Sequence, residues 1–324
     1  MDRRKLLKAL SVTGIGALTS QLQASRASAQ GLGSLHMLTA TAPPDLVCHV
    51  FYYAEKLGFY KDLGLNFRVE PVANDPTALR GVLAGVCDIA WCGALTTLQA
   101  LRTGADLKVL SCFTPSLDYK IIARNDIASV KAMEGKPVAV SQMGAVSQIV
   151  PKIMIENAGG DPSKVQWVSA GGGPNRYQAL VAGRVSAAPL NALHAGLAAE
   201  MTDKFHVIAT AVKDLPYFIY AWDIITSATL AKKPNELRAF IRGTARASQW
   251  ATENPQRAAE LSQQILPDVN LKDLERAIVD FAASGYWSKT GAVSPQAWKY
   301  TTDTLIRNGD IPSAPPAENI LVKL

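Results

Sequence analysis

Short apolar runs rich in β-branched residues alternate with helical segments along this chain, and this alternation constrains the fold more than any other feature. The stretch 136–160, KPVAVSQMGAVSQIVPKIMIENAGG, shows one unit. Its run 137–140 predicts a buried strand, and 149–158 has the apolar spacing of a helix that Gly159-Gly160 ends. Such alternation predicts an α/β fold with open, largely parallel sheets and helices on both faces. Further strands are predicted at 34–41, 66–72, 85–93, 107–113, 166–168, 185–190 and 206–210, and further helices at 46–58, 75–84, 94–103, 177–182 and 191–201.

The polar loop 141–148 enters its helix at the N-terminal end, where free backbone N–H groups can face a ligand. The loop is not a Walker A loop, because no Gly-Lys-Ser/Thr follows at the required spacing, and the dinucleotide pattern G-x-G-x-x-G is also absent. An ordinary connection between a strand and a helix has the same features. This stretch alone therefore leaves a structural and a ligand-binding role open.

Residues 1–29 have the pattern of a twin-arginine export signal. Arg3-Arg4 precede a modest apolar stretch at 9–22, and Ala27-Ser28-Ala29 is a small-x-small cleavage site. We therefore predict a signal peptide at 1–29, a mature chain from Gln30 and a periplasmic location. An uncleaved anchor is the alternative, but the stretch 9–22 is too short to span a bilayer.

The net charge of +6 mostly reflects this predicted signal. Without residues 1–29, Lys+Arg falls from 33 to 28 and Asp+Glu falls from 27 to 26, which leaves +2. The sequence has no basic stripe with interleaved aromatic residues, and such a stripe is the usual sign of a nucleic-acid-binding surface. We expect no nucleic-acid partner.

No catalytic or metal-binding constellation is visible in the sequence. The histidines form no H-x-x-x-H or H-E-x-x-H pattern, and no G-x-S-x-G elbow exists. No C-x-x-C or Cys/His ligand spacing is present either, so we predict no catalytic residue, no metal and no cofactor. Disulfides would be permitted in the periplasm, but buried free thiols are the simpler interpretation. The four cysteines are Cys48, Cys87, Cys92 and Cys112.

Four segments in order along the chain carry a family resemblance. The segment 54–65 reads AEKLGFYKDLGL, and 83–90 reads LAGVCDIA. The segment 133–140 reads MEGKPVAV, and 179–188 reads ALVAGRVSAA. Together they resemble the nitrate/sulfonate/taurine type of periplasmic solute-binding protein of ABC importers, which is related to thiamine-pyrimidine-precursor synthases. Each match is short, but together they cover most of the predicted mature chain.

The resemblance implies a two-lobed type II periplasmic binding protein fold, in which each lobe is a mostly parallel sheet flanked by helices and the ligand cleft lies between the lobes. It places lobe one at 30–120 and again at 220–324, and lobe two at 121–219. Crossing segments at 115–124 and 217–226 would join the lobes. The second part of lobe one is mostly helical, with helices predicted at 234–254, 255–264, 271–284 and 294–308.

The resemblance also implies which loops face the cleft. Trp91 could stack on a planar ligand, and Arg176, in a loop predicted at 169–176, could pair a carboxylate or sulfonate. Asn191 could bind the ligand or cap the following helix. Asp223 could bind an amine, disfavour an anion or bond the hinge, and His49 could touch the ligand or point into the first helix. The predicted ligand-binding residues are Thr41, Pro44, Asp45, His49, Trp91, Gly93, Ala94, Thr96, Ser141, Gly144, Ser147, Gly172, Arg176, Asn191, Tyr220, Trp222 and Asp223.

The function that the resemblance implies is capture without turnover. We expect an extracytoplasmic, monomeric solute-binding subunit that takes up a small organic anion, a sulfonate or carboxylate, by lobe closure and delivers it to an ABC permease in the inner membrane. Trp91 and Tyr220 leave an aromatic ligand open. Two alternatives share the fold, namely a pyrimidine-precursor synthase-like enzyme and a ligand-sensing periplasmic subunit. The enzyme is disfavoured because the chain lacks a clustered Cys motif and an obvious reactive His.

Overall fold

Two five-stranded sheets organise residues 31–324, the part of the chain that this computed structural model describes. The predicted signal peptide at 1–29 lies outside the described residues. The strands are β1 (Ser34–Thr39), β2 (Asn66–Pro71), β3 (Ile89–Gly93), β4 (Lys108–Ser111), β5 (Lys120–Arg124), β6 (Pro137–Val140), β7 (Gln166–Ser169), β8 (Ala187–Leu190), β9 (Phe205–Thr210) and β10 (Ala221–Ile225). The helices are α1 (His49–Lys56), α2 (Asp75–Leu83), α3 (Ala94–Arg102), α4 (Val146–Asn157), α5 (Gly173–Val181), α6 (Ala192–Ala199), α7 (Ala211–Asp214), α8 (Ser227–Lys232), α9 (Pro234–Glu253), α10 (Pro255–Ile265), α11 (Leu271–Ser284), α12 (Pro295–Arg307) and α13 (Ala317–Ile320).

The two sheets repeat one topology. The first sheet has the order β2-β1-β3-β10-β4, and the second has the order β7-β6-β8-β5-β9. In each sheet four strands run in parallel, and the fifth runs antiparallel between its neighbours: β10 in the first sheet and β5 in the second. Each antiparallel strand follows a segment that crosses from the other sheet. The predicted α/β fold with mostly parallel sheets is confirmed, whereas lobe boundaries at residues 120 and 219 stay a prediction.

Aromatic packing fixes the C-terminal helices over the first sheet. Phe240 of α9 stacks on Phe51 of α1, with ring centroids 6.0 Å apart, and on Tyr60, with centroids 5.9 Å apart. All three side chains are buried, and stacked rings of this kind stabilise a core beyond the area that they bury. The face of the first sheet that carries Trp222 is covered instead by α12, through Trp298. Each face of this sheet is thus covered by helices.

Two helices begin earlier than the sequence predicted. The segment predicted as a loop through Arg176 is already helical from Gly173, because Pro174 lies in the first turn, where its missing N–H has no helical partner to lose. Helix α4 begins at Val146 rather than at residue 149 and contains Pro151. Both shifts move residues that we placed in loops onto rigid elements.

The four cysteines are buried free thiols, as expected. Within residues 31–324, none of the helices combines the length and the apolar character that crossing a membrane requires. The same part of the chain holds no group of three or more His, Cys, Asp or Glu side chains that could hold a metal ion.

Candidate ligand-binding cleft

The candidate site lies where loops and helix ends of the two sheets meet. The first sheet contributes the loop after β1 and the end of β3. The second sheet contributes α5 and the start of α6. The two crossing segments complete the site. The crossing from β4 to β5 contributes Asp118 and Tyr119, directly before β5, and the crossing from β9 to β10 contributes Tyr220, directly before β10.

Arg176 is the buried cation of this site. Its side chain is 4% exposed on α5, where Nε donates to the Pro189 carbonyl at 2.9 Å and Nη1 donates to the Gly171 carbonyl at 3.0 Å. The guanidinium lies 5.7 Å from the centre of the Tyr119 ring. Among the described residues no carboxylate lies within ion-pair distance of Arg176. The side chain is therefore held in place by neutral acceptors, and no carboxylate of the described chain forms a direct ion pair with it.

Asp45 approaches this cation from the opposite lobe. Its backbone N–H donates to Thr41 Oγ1 at 2.9 Å, but its buried Oδ1 has no hydrogen-bond partner within the described structure. Burial raises the pKa of the Asp45 carboxyl, and the neighbouring Asn191 side chain and Arg176 guanidinium oppose that rise. The preceding residue, Pro44, is buried. Among the described residues Asp45 Oδ1 is thus a buried acceptor without a partner, which is rare in folded proteins.

Asn191 performs the capping role that the sequence left open. Its Oδ1 accepts a hydrogen bond from the His194 backbone N–H at 3.2 Å and lies 2.7 Å from His194 Nδ1. Burial lowers the pKa of His194 to about 4, so the ring is neutral at pH 7. Asn191 thereby fixes the first turn of α6 at the cleft.

Asp118 and Tyr119 belong to the site, although the sequence analysis did not select them. Asp118 is 7% exposed, and its Oδ2 accepts the Ala192 backbone N–H at 2.8 Å at the start of α6. Burial, followed by the charge of Asp45, raises the pKa of Asp118 to about 7. Tyr119 precedes β5 as Tyr220 precedes β10, and their ring centroids lie 6.2 Å apart. Because Tyr119 and Tyr220 hold equivalent positions before the two antiparallel strands, the prediction of Tyr220 as a ligand-binding residue could have been extended to Tyr119 from the sequence.

Trp91 is buried beside Tyr220. Its side chain is 2% exposed, its Nε1 donates to Thr114 Oγ1 at 2.9 Å, and its ring meets the edge of Tyr220 at a centroid distance of 5.5 Å. The indole N–H is thus used within the protein.

The predicted ligand-binding residues at the start of α3, Gly93, Ala94 and Thr96, also use their polar groups within the protein. Asp75 of α2 accepts the Gly93 N–H at 3.1 Å and the Thr96 hydroxyl at 3.2 Å. The Ala94 N–H donates to the Tyr220 carbonyl at 2.9 Å. An internal carboxylate therefore occupies this helix N-terminus, where a ligand anion could otherwise bind.

The loop after β6 satisfies its own polar groups as well. The Ser141 N–H donates to Ser147 Oγ at 2.8 Å, and the two hydroxyls lie 2.7 Å apart. The Gly144 N–H donates to Gln148 Oε1 at 2.7 Å. After β7, the Gly172 carbonyl accepts the Arg176 N–H at 3.0 Å in the first turn of α5.

Three predicted ligand-binding residues lie in the core of the first lobe. His49 Nδ1 lies 2.8 Å from Ser262 Oγ, and burial lowers the pKa of His49 to about 3. Trp222 is fully buried against Trp298 at 5.2 Å. Asp223 accepts the Ser111 hydroxyl at 2.7 Å. All three side chains contact core residues of the first lobe.

A cavity of about 290 Å³ adjoins Asp118 at the boundary between the lobes. Its size is near the lower end of the range for small-molecule sites, about 300–1,000 Å³. Its charged and aromatic lining residues are Asp118, Tyr119, Lys120, Asp280, Phe281 and Tyr286.

Comparisons with known proteins agree with this architecture. A family model described as NMT1/THI5 like matches residues 47–258. The protein YtlA of Bacillus subtilis (strain 168), whose name describes a binding protein, is 20% identical over 280 residues, which cover 84% of this chain and 83% of YtlA.

Two solved structures show the same fold. The periplasmic aliphatic sulphonate binding protein SsuA from Escherichia coli aligns with a TM-score of 0.72 at 14% identity, covering 90% of this chain and 92% of SsuA. The periplasmic nitrate-binding protein NrtA from Synechocystis PCC 6803 aligns with a TM-score of 0.69 at 12% identity, covering 90% of this chain and 86% of NrtA. The predicted resemblance and two-lobed fold are confirmed, and the names of these relatives describe binding proteins rather than enzymes.

Proposed function

This chain belongs to the NMT1/THI5-like family, and from that premise we propose that it is the extracytoplasmic solute-binding subunit of an ABC importer. The proposed ligand is a small organic molecule with a carboxylate or sulfonate group. The proposed partner is a permease in the inner membrane, and the proposed location is the periplasm, reached through the twin-arginine signal. The names of SsuA and NrtA, which describe binding of small anions, support a ligand of this class.

The observation that carries this proposal is the buried guanidinium of Arg176. Burying a charge without a counter-ion is costly, and the two carbonyls that hold Arg176 position the group without neutralising it. Guanidinium groups bind carboxylates and sulfonates strongly because their planar N–H groups match two oxygens at once. An anionic group that enters the cleft would therefore complete an incomplete charge pair.

The mechanism of the proposed capture follows from where the polar groups originate. Arg176 and Asn191 belong to the side of the second sheet, and Asp45 and Trp91 belong to the side of the first. A ligand that contacts both sets binds the closed arrangement more tightly than the open one, and this differential affinity shifts the population toward closure. The closed form is the state that would dock on the permease.

The proposal is tested by a thermal-shift and calorimetric screen of residues 30–324 against small carboxylates and sulfonates. A ligand that binds only the folded state adds about 2.7 kcal/mol of stability at one hundred times its dissociation constant. In Arg176→Gln the affinity should fall roughly 30-fold or more, since truncating one partner of a buried charge pair costs about 2–5 kcal/mol. Arg307→Gln, at an exposed site on α12, is the matched control and should bind as wild type does.

Two results would contradict the proposal. Equal affinity in Arg176→Gln and wild type would remove Arg176 from the site. A compound that is consumed during incubation, instead of being recovered unchanged, would indicate an enzyme.

A further inference from the structure

Two carboxyl groups from different parts of the chain interact beside the arginine of the cleft. Asp45 lies in the loop after β1, and Asp118 lies in the crossing from β4 to β5. Asp118 is buried, and so is Oδ1 of Asp45. Among the described residues neither carboxyl forms an ion pair. Two buried carboxylates that repel each other are most stable when the pair shares one proton.

Tyr119 lies next to both carboxyls and to Arg176. Its ring is 5.7 Å from the guanidinium. Burial raises the pKa of the Tyr119 hydroxyl, the charge of Arg176 opposes that rise, and the charges of Asp118 and Asp45 add to it. One cation and two acids therefore surround a single buried ring. When both acids are ionised, this region carries one negative charge in excess.

An anionic group on Arg176 would add a further negative charge to this region. The added charge repels the two carboxylates and raises the affinity of the pair for a proton. If a proton enters together with the anion, the net charge of the buried region does not change. Binding then avoids the cost of burying an unpaired charge, which is several kcal/mol for an ion in a protein interior.

We propose that capture in this cleft is coupled to a proton: the anionic group that binds Arg176 enters together with one proton, which the Asp45–Asp118 pair holds while the ligand is bound. This inference rests on the proposed function as a solute-binding protein and adds regulation of the same site by pH. Release of the ligand returns the proton to the solvent, so a rise in pH favours release.

The other charged and titratable groups around the pair do not account for such a dependence. Burial raises the pKa of the neighbouring tyrosine hydroxyls and of the Cys48 thiol, and it lowers the pKa of His194 to about 4, so none of these groups changes its charge between pH 6 and pH 8. Lys120 Nζ lies 3.3 Å from Oδ2 of Asp280 and forms an ion pair with it. The neighbours are Tyr119 and Lys120 from the first crossing, Tyr220 from the second, Cys48 before α1, Arg176 from α5, His194 from α6, and Asp280 and Tyr286 from α11 and the segment after it.

The coupling has a definite sign and size. Burial, and then the charge of Asp45, raise the pKa of Asp118 to about 7 in the unliganded protein, whereas the Ala192 N–H and Lys120 oppose the rise. A bound anion raises this pKa further, so binding should take up about half a proton at pH 7 and nearly one at pH 8. The affinity for a monoanion should therefore be highest at pH 6 and fall roughly tenfold by pH 8.

Isothermal titration calorimetry of residues 30–324 tests the coupling with ethanesulfonate, propanoate and benzoate, three monoanions that stay ionised between pH 6 and pH 8. Titrations at pH 6, 7 and 8, each in two buffers with different enthalpies of ionisation, give both the affinity and the number of protons taken up. In Asp118→Asn the amide oxygen can still accept the Ala192 N–H, but the side chain carries no charge at any pH. This variant should take up no proton and should bind at pH 8 roughly tenfold more tightly than wild type does. A gain in affinity cannot come from damage to the fold.

Two further variants complete the test. Asp45→Asn removes the charge that raises the pKa of Asp118, so it should also bind more tightly than wild type at pH 8, and it serves if Asp118→Asn does not fold. Asp268→Asn, at an exposed site, is the control and should keep the pH dependence of wild type.

Three outcomes would contradict the coupling. If wild type binds a probe equally well from pH 6 to pH 8 without proton uptake, or releases protons on binding, the coupling is overturned while the solute-binding function stands. If Asp118→Asn and Asp45→Asn both keep the pH dependence of wild type, the pair does not hold the proton. If none of the three probes binds even at pH 6, the proposed class of ligand is contradicted together with the coupling.

Discussion

Asp223 illustrates how one buried carboxyl can determine how stability depends on pH. It lies in the middle of the first sheet, opposite Ser111 on β4 and Trp91 on β3. The Ser111 hydroxyl donates to its Oδ2, but its Oδ1 has no partner among the described residues. Burial raises the pKa of Asp223 from its ordinary value of 3.8 to about 8. The folded protein therefore favours the protonated form.

We predict that Asp223→Asn becomes more stable relative to wild type as the pH rises. Between pH 4 and pH 8 the folded wild type binds more protons than the unfolded chain does, so its stability falls as the pH increases. The variant lacks this titration. Since one pKa unit corresponds to about 1.4 kcal/mol, the difference in free energy of unfolding should grow by a few kcal/mol over this range.

Urea denaturation at pH 4.5, 6 and 8 measures the effect. Asp268→Asn, which changes an exposed carboxylate, is the control and should show no comparable trend. A constant difference between Asp223→Asn and wild type across the three pH values would show that Asp223 is ionised in the folded protein.

At the scale of single elements, the sequence predicted best where the start and stop signals are local. Helix α11 has the predicted bounds, because Asn270 accepts the Lys272 N–H at its start and Gly285 adopts a left-handed φ of 62° at its end. Helix α5 was missed at its start because three glycines and a proline looked like a loop. Its first turn is fixed by contacts with distant residues, such as the bond from Arg176 to Pro189, which no local pattern reveals.

Close packing of α9 on Tyr60 requires a glycine in the middle of a twenty-residue helix. A Cβ at Gly243 would overlap Cδ1 of the Tyr60 ring, the nearest atom, and would lie 2.7 Å from Cε1 of the same ring. That ring is buried and tied to Thr244 by a hydrogen bond of 2.7 Å, so it cannot move aside easily. At Gly81 in α2 the nearest atom is the flexible end of Leu38, also at 2.7 Å.

We predict that Gly243→Ala lowers the free energy of unfolding by about 1–2 kcal/mol. Overpacking costs about 1–3 kcal/mol, and the better helix propensity of alanine offsets up to about 1 kcal/mol of it. Gly81→Ala is the matched control, because it gains the same propensity and needs only a side-chain rotation, so it should be neutral or slightly stabilising. Thermal unfolding of both variants measures the effect. Equal stability of Gly243→Ala and Gly81→Ala would show that the Tyr60 ring can move to accommodate the added methyl group.

At the scale of the whole molecule, the resemblance anticipated the two lobes and the loops between them, but it could not anticipate which side chains meet. Asp118 contacts the amide of Ala192, 74 positions away, and Asp45 lies near Asn191 on the other lobe. Conversely, His49 follows the first loop yet turns into the core, where Ser262 binds its ring. Sequence patterns place a residue on an element, whereas the packing of two lobes decides whether that residue faces the cleft.

The same lobe packing includes ion pairs that join the two sides outside the cleft. Arg276 of α11, which packs with the helices over the first sheet, pairs with Glu200 at the end of α6 beside the second sheet. Gly196 of α6 permits this approach, since a Cβ there would lie 2.7 Å from Arg276 Nε. These partly exposed groups stabilise the arrangement in which the lobes touch. Exposed ion pairs contribute about 0.2–1 kcal/mol each.

We predict that Arg276→Gln, Glu200→Gln and the double variant each weaken ligand binding roughly two- to fivefold, because a ligand must then supply the free energy of closure that the pair supplied. The double variant should lose no more than either single variant, since all three remove the same interaction. Asp62→Asn is the control, because it breaks the Arg246 pair of 2.7 Å, which lies wholly on the first lobe. Small-angle scattering of the unliganded variants should show a larger radius of gyration for the Arg276 and Glu200 changes alone. Unchanged affinity and an unchanged radius in all of them would mean that the Arg276–Glu200 pair contributes nothing to closure, which then depends on Arg176, Asp45 and the other residues of the cleft.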